Sequence, residues 1–102
     1  MSRAYLSLGS NIDAVNHLRI AMSALRKRFG DVVMSKVYRT SAVGFDGPDF
    51  HNAAAVIETD LDPHALNAWL HALEDAHGRD RSGPRYSDRT LDIDIVLFDD
   101  RV

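Results

Sequence analysis

The chain contains no cysteine, which excludes disulfides and thiolate-bound metals but does not assign a compartment. No run approaches 18 apolar residues, and the opening Met1-Ser2-Arg3-Ala4-Tyr5 has no apolar leader core. A membrane span is therefore not expected, and the cytoplasm is the default location. There is no internal repeat, low-complexity tract or interdomain linker. Positive charge is not in excess either. The formal net charge of −3 argues against a general nucleic-acid binder, although charge can be concentrated locally. What remains is an ordinary globular composition, and 102 residues leave room for a single domain over 1–102 with a modest core.

Hydrophobic periodicity orders the chain. Ala4-Tyr5-Leu6-Ser7-Leu8 alternates and predicts a strand with Ala4, Leu6 and Leu8 inward, ended by a turn at Gly9-Ser10-Asn11. Val15, Leu18, Met22, Leu25 and Phe29 recur at helical spacing, and Gly30 follows as a stop. Val32 to Thr40 predicts a second strand, and Ser41 to Asp49 a loop. Phe50 to Thr59 predicts a third strand. Asp62-Pro63 starts a helix whose buried face is Leu66, Trp69, Leu70 and Leu73, closed by Gly78. Arg79 to Arg89 is a basic loop, and Leu91 to Phe98 the last strand. The order βαββαβ is an α+β, ferredoxin-like plan, an antiparallel sheet with both helices on one face. That plan fixes no function.

The chemistry concentrates at Thr90-Leu91-Asp92-Ile93-Asp94-Ile95. Strand residues two apart share a face, so Asp92 and Asp94 project together. They are expected near the middle of the sheet, on the side away from the helices. Adjacent carboxylates repel unless a cation or hydrogen bonds compensate, and Mg2+ is commonly held by one or two carboxylates plus phosphate oxygens. Two Mg2+ ions could be accommodated. Aspartates two apart also occur often by chance on exposed strands. The strand context favours the metal, because aspartate is depleted in strands and here interrupts an apolar run.

Arg79, Arg81, Arg85 and Arg89 immediately precede this pair. Guanidinium groups bind phosphate oxygens bidentately and stay charged. Alone, such a loop reads as a solvated surface whose arginines pair with Asp75, Asp80 and Asp88. Beside the acid pair it suits phosphoryl or pyrophosphoryl transfer, with metal on one side of a polyphosphate and arginines on the other. Phe50 and Asn52 share parity and could offer a heterocycle a stacking face and an amide edge. By residue type alone, a core ring and a satisfied turn amide explain them better. Glu74 lies near the basic loop, and its bland reading is a helix-surface carboxylate. The histidines 17, 51, 64, 71 and 77 show no convincing metal-ligand spacing.

Four segments together resemble the 6-hydroxymethyl-7,8-dihydropterin pyrophosphokinase family of folate biosynthesis. They are Ala4-Tyr5-Leu6-Ser7-Leu8-Gly9-Ser10-Asn11, Tyr38-Arg39-Thr40, Pro48-Asp49-Phe50-His51-Asn52-Ala53-Ala54 and Arg89-Thr90-Leu91-Asp92-Ile93-Asp94-Ile95. The resemblance implies transfer of pyrophosphate from ATP to the pterin's hydroxymethyl oxygen, giving AMP. It implies that Asp92 and Asp94 hold two Mg2+, that Arg79 and Arg89 act at the phosphates, and that Glu74 and Arg85 join them around the nucleotide. Phe50 and Asn52 would hold the pterin ring, with Thr40, Val43 and Gly44 completing its pocket. Ser41 and Tyr86-Ser87-Asp88 depart from the family pattern and bear on loop closure. The family's usual length implies a C-terminally incomplete domain of about two thirds, with ATP and a hydroxymethyl-dihydropterin as partners and a monomer or weak dimer as its state. A non-catalytic paralogue that binds nucleotide or pterin is the alternative. A nucleic-acid module is disfavoured, because the sheet lacks paired exposed aromatics in an RNA-binding pattern and its acid pair would repel phosphate without a metal.

Overall fold

In the computed structural model, residues 1–40, 49–76 and 91–99 are described. The alternating N-terminal segment forms β1 (Ser2–Ser10), with Ala4, Leu6 and Leu8 buried. The strand runs on through Gly9 and Ser10, two residues into the expected turn, because both pair with β4. Next come α1 (Ala14–Phe29), β2 (Val33–Met34), β3 (Tyr38–Thr40), β4 (Phe50–Thr59), α2 (Pro63–Ala76) and β5 (Asp92–Phe98). Gly30 ends α1 at φ 82°, a conformation open to glycine, and its N–H donates to the Arg26 carbonyl. Asp62 caps α2, its Oδ1 accepting the Ala65 N–H at 2.7 Å. The expected stop at Gly78 lies outside the described residues.

The strands make one antiparallel sheet in the order β2-β4-β1-β5, with β3 also paired to β4. The single strand expected over Val32 to Thr40 is broken in two. Ser35 causes the break. Its N–H donates to the Ala54 carbonyl, and its Oγ accepts the Ala54 N–H at 2.8 Å. A side chain thus replaces a backbone acceptor, and the chain leaves the ladder until Tyr38. Both pieces pair with β4, so the ferredoxin-like topology survives the interruption.

Both helices cover one face. Leu18, Ala21 and Leu25 of α1 and Leu66 and Leu70 of α2 share a buried cluster with Ala4, Leu6, Leu8, Ala55, Ile57 and Ile93. Each such leucine or isoleucine contributes about 1.5–3 kcal/mol. Phe29 meets Trp69 edge-to-face at 5.1 Å and ties the two helices together. Val15, expected in the buried stripe, is 59% exposed at the rim, and Ala14 takes the inward place.

The last strand carries a bulge. Tyr5 pairs with Leu97 but Leu6 with Ile95, so Val96 is extra. Leu91, Ile93 and Ile95 face the helices before it, and Phe98 after it. The bulge lets an alternating sequence keep apolar residues inward at both ends while Asp92 and Asp94 stay outward. Beyond it, the Arg3 N–H donates to Asp99 Oδ1 at 2.8 Å and the Asp99 N–H to the Arg3 carbonyl at 2.7 Å, fastening the strand's end. Among the described residues, β5 is an edge strand rather than a central one. The central places go to β1 and β4.

Candidate active site

The register assembles the site on the sheet face opposite the helices. Tyr38 pairs with Asn52, Asn52 with Gly9, and Gly9 with Asp92, so one row crosses β3, β4, β1 and β5. Asp94 lies in the adjacent row, opposite Ser7. Neighbouring strands are about 4.8 Å apart, so Asn52 and Asp92 stand roughly 10 Å apart along the sheet, with Gly9 between them.

Gly9 is the residue that sequence reasoning missed. A Cβ at this position would meet Asn52 Oδ1 at 3.0 Å and Phe50 Cδ1 at 3.9 Å. The missing side chain lets the amide and ring lie against the backbone and leaves a flat floor towards Asp92. Glycine inside an alternating strand is a recognised sign of close approach, although beside Ser10-Asn11 it also reads as a turn.

Thr40, Phe50 and Asn52 come together at one end of this floor. Asn52 Nδ2 donates to Thr40 Oγ1 at 2.9 Å, which orients the amide. Phe50 is half-buried on the same face as Asn52 and is not a core ring. Arg39 pairs with Asp49 at 3.2 Å across the base of the intervening segment. This pair is exposed and holds the two strand ends together only weakly. Val43, Gly44, Arg79, Arg85 and Arg89 lie outside the described residues, as do Ser41 and Tyr86-Ser87-Asp88.

Asp92 and Asp94 are on the same face, Asp92 half-buried and Asp94 exposed. Among the described residues no group of three or more histidines, cysteines or acids could form a metal cage. Two carboxylates alone suit Mg2+, which keeps waters and takes phosphate oxygens in its remaining positions. The donor set therefore fits that ion and would leave a structural zinc site incomplete.

Glu74 is not a surface carboxylate. It is 1% exposed, and its Oε2 accepts the Ile93 N–H at 2.7 Å. Among the described residues, one cavity of about 550 Å3 lies beside Pro63, His64 and Phe98 and another of about 500 Å3 beside Met22, Met34 and His51. Neither is lined by Asp92, Asp94, Asn52 or Phe50.

The fold is a ferredoxin-like α+β domain with an acid pair on the sheet face away from the helices. The profile of the 7,8-dihydro-6-hydroxymethylpterin-pyrophosphokinase family matches residues 5–102, and the chain belongs to that family. It is 38% identical to the 2-amino-4-hydroxy-6-hydroxymethyldihydropteridine pyrophosphokinase of Haemophilus influenzae, a match covering all of this chain and 66% of the relative. The Pseudomonas putida protein of that name is 40% identical over 98% of this chain and 85% of its own length. The Bacillus subtilis one is 39% identical over 93% of this chain and 59% of its own length. The chain thus spans between about three fifths and six sevenths of these relatives. No described helix is long and apolar enough to cross a membrane.

Proposed function

We propose that this domain transfers a pyrophosphoryl group from Mg2+·ATP to the hydroxymethyl oxygen of 6-hydroxymethyl-7,8-dihydropterin, releasing AMP. The observation that carries the reading is the row Asn52–Gly9–Asp92 across the sheet. It puts an amide suited to a heterocycle and an acid pair suited to Mg2+ at opposite ends of a floor without side chains. In this reading the pterin ring lies against Phe50, Asn52 reads its edge, and Thr40 holds that amide in place. Val43 and Gly44 complete the pterin pocket. The hydroxymethyl arm then points along Gly9 towards Asp92.

The hydroxymethyl oxygen bonds to the β-phosphorus, the bond between the α,β-bridging oxygen and that phosphorus breaks, AMP departs, and the hydroxyl proton passes to solvent. When bound, Mg2+ neutralises phosphate charge and draws the polyphosphate to the acid pair. Asp92 and Asp94 are assigned as its ligands, with two ions in the complete complex. Arg79, Arg85 and Arg89 are assigned to the phosphates. Catalysis of this type rests on positioning, which can contribute about 7–11 kcal/mol for well-oriented reactants. A cytoplasmic monomer or weak dimer belongs to the same proposal.

The test measures AMP release from ATP, Mg2+ and the hydroxymethyl-dihydropterin, with Asp94→Asn as the control. Pterin-dependent AMP release lost in that variant supports the reading. Binding of both substrates without AMP release above the protein-free rate would identify a non-catalytic relative instead.

A further inference from the structure

The buried stripe of α2 runs Leu66, Leu70, Glu74, each four residues after the last, and all three are buried. The pattern asks for a third leucine, yet the position holds a carboxylate. Burying a carboxylate is costly unless its oxygens are hydrogen-bonded. Glu74 Oε2 accepts the N–H of Ile93 at 2.7 Å, and Ile93 is the residue between Asp92 and Asp94. Charge-assisted bonds of this kind are about twice as strong as neutral ones.

The direction of that N–H matters. Successive amides of an antiparallel strand alternate between its two sides. An Ile93 N–H given to α2 points away from β1, so the amides of Asp92 and Asp94 turn towards their partners Gly9 and Ser7. Three consecutive residues of β5 are therefore held from both sides, by β1 and by the helix. An edge strand is normally the loosest part of a sheet. Here it is clamped at the point that carries the acid pair.

We infer that Glu74 is a positioning residue that fixes the spacing of Asp92 and Asp94 through the Ile93 amide, and is not itself a contact to the nucleotide. The inference rests on the proposed Mg2+·ATP site. Glutamine retains a carbonyl acceptor of the same reach, whereas leucine restores the apolar stripe and removes the acceptor. Amide hydrogen exchange should therefore show Ile93 protected in the wild type and in Glu74→Gln, and exchanging at least tenfold faster in Glu74→Leu. Calorimetry with Mg2+·ATP should give affinities within about threefold for wild type and Glu74→Gln, and about tenfold weaker binding for Glu74→Leu.

Two results would overturn the inference. One is a folded Glu74→Leu protein with unchanged Ile93 protection and unchanged Mg2+·ATP affinity. The other is a Glu74→Gln protein that keeps Ile93 protected but loses affinity as fully as the leucine variant, since the charge itself would then be the working feature. A wild-type protein that binds no Mg2+·ATP would remove the functional reading. The positioning role would fall with it, although Ile93 exchange would still report the clamp.

Discussion

The two faces of β5 are made of alternating residues in one strand, yet they obey different physics. Leu91 and Ile93 lie under the helices at no more than 1% exposure, with Ile95 packed against them. Asp92 and Asp94, between them in sequence, face outward. Water is expelled on the first side, and its loss stabilises the fold. On the second side, two carboxylates lie on one face, where like charges repel and a cation can compensate. Burial shows which residues hold the molecule together. An acid pair on the face away from the core is where the proposed site takes its ligand.

The contrast can be broken most directly at Ile93. Ile93→Ala should lower unfolding free energy by about 2–5 kcal/mol in urea titrations, the usual range for removing a buried aliphatic side chain. On the other face, Asp92→Asn and Asp94→Asn should each weaken Mg2+·ATP binding roughly a hundredfold, about 2.7 kcal/mol by calorimetry. Stability in those variants should change by less than about 0.5 kcal/mol. A large loss of stability without a loss of binding would mean the acids are structural and would erase the distinction.

Gly9→Ala sharpens the comparison on the open face. The new methyl would crowd Asn52 Oδ1 at 3.0 Å, so the amide must shift from Thr40. Pterin affinity should fall about fivefold to tenfold in fluorescence titration, or roughly 1–1.4 kcal/mol. Unchanged affinity would show that the floor between Asn52 and Asp92 is not used. The smallest effect is expected at Asp62→Ala, which removes the helix cap far from the acid pair. It should cost about 1 kcal/mol of stability in a thermal melt and leave substrate binding untouched.

Much of this arrangement was legible before the fold was known, for specific reasons. The helix limits at Asp62-Pro63 and Gly30 follow from local capping chemistry and hold in the structure. The shared face of Asp92 and Asp94 follows from strand geometry alone. The break at Ser35 was not legible, because it depends on a hydroxyl meeting the Ala54 amide of another strand. Nor was the burial of Glu74. The spacing from Leu66 and Leu70 points position 74 inward, but a carboxylate reads as surface, and only β5 supplies the Ile93 N–H that lets it be buried.

The sequence by itself determined the two helices, the inward and outward alternation of the long strands, and the resemblance that names the family, because each depends on residues close together in the chain or on residue type. Tertiary structure decided the strand order, the edge position of β5, the row from Asn52 through Gly9 to Asp92, and the reach of Glu74 to Ile93. The row and the Glu74 bond alone join residues 19, 43 and 83 positions apart. Local propensity carries no information about which distant partners a chain will bring together. That depends on how two helices and a twisted sheet can bury their apolar faces at once.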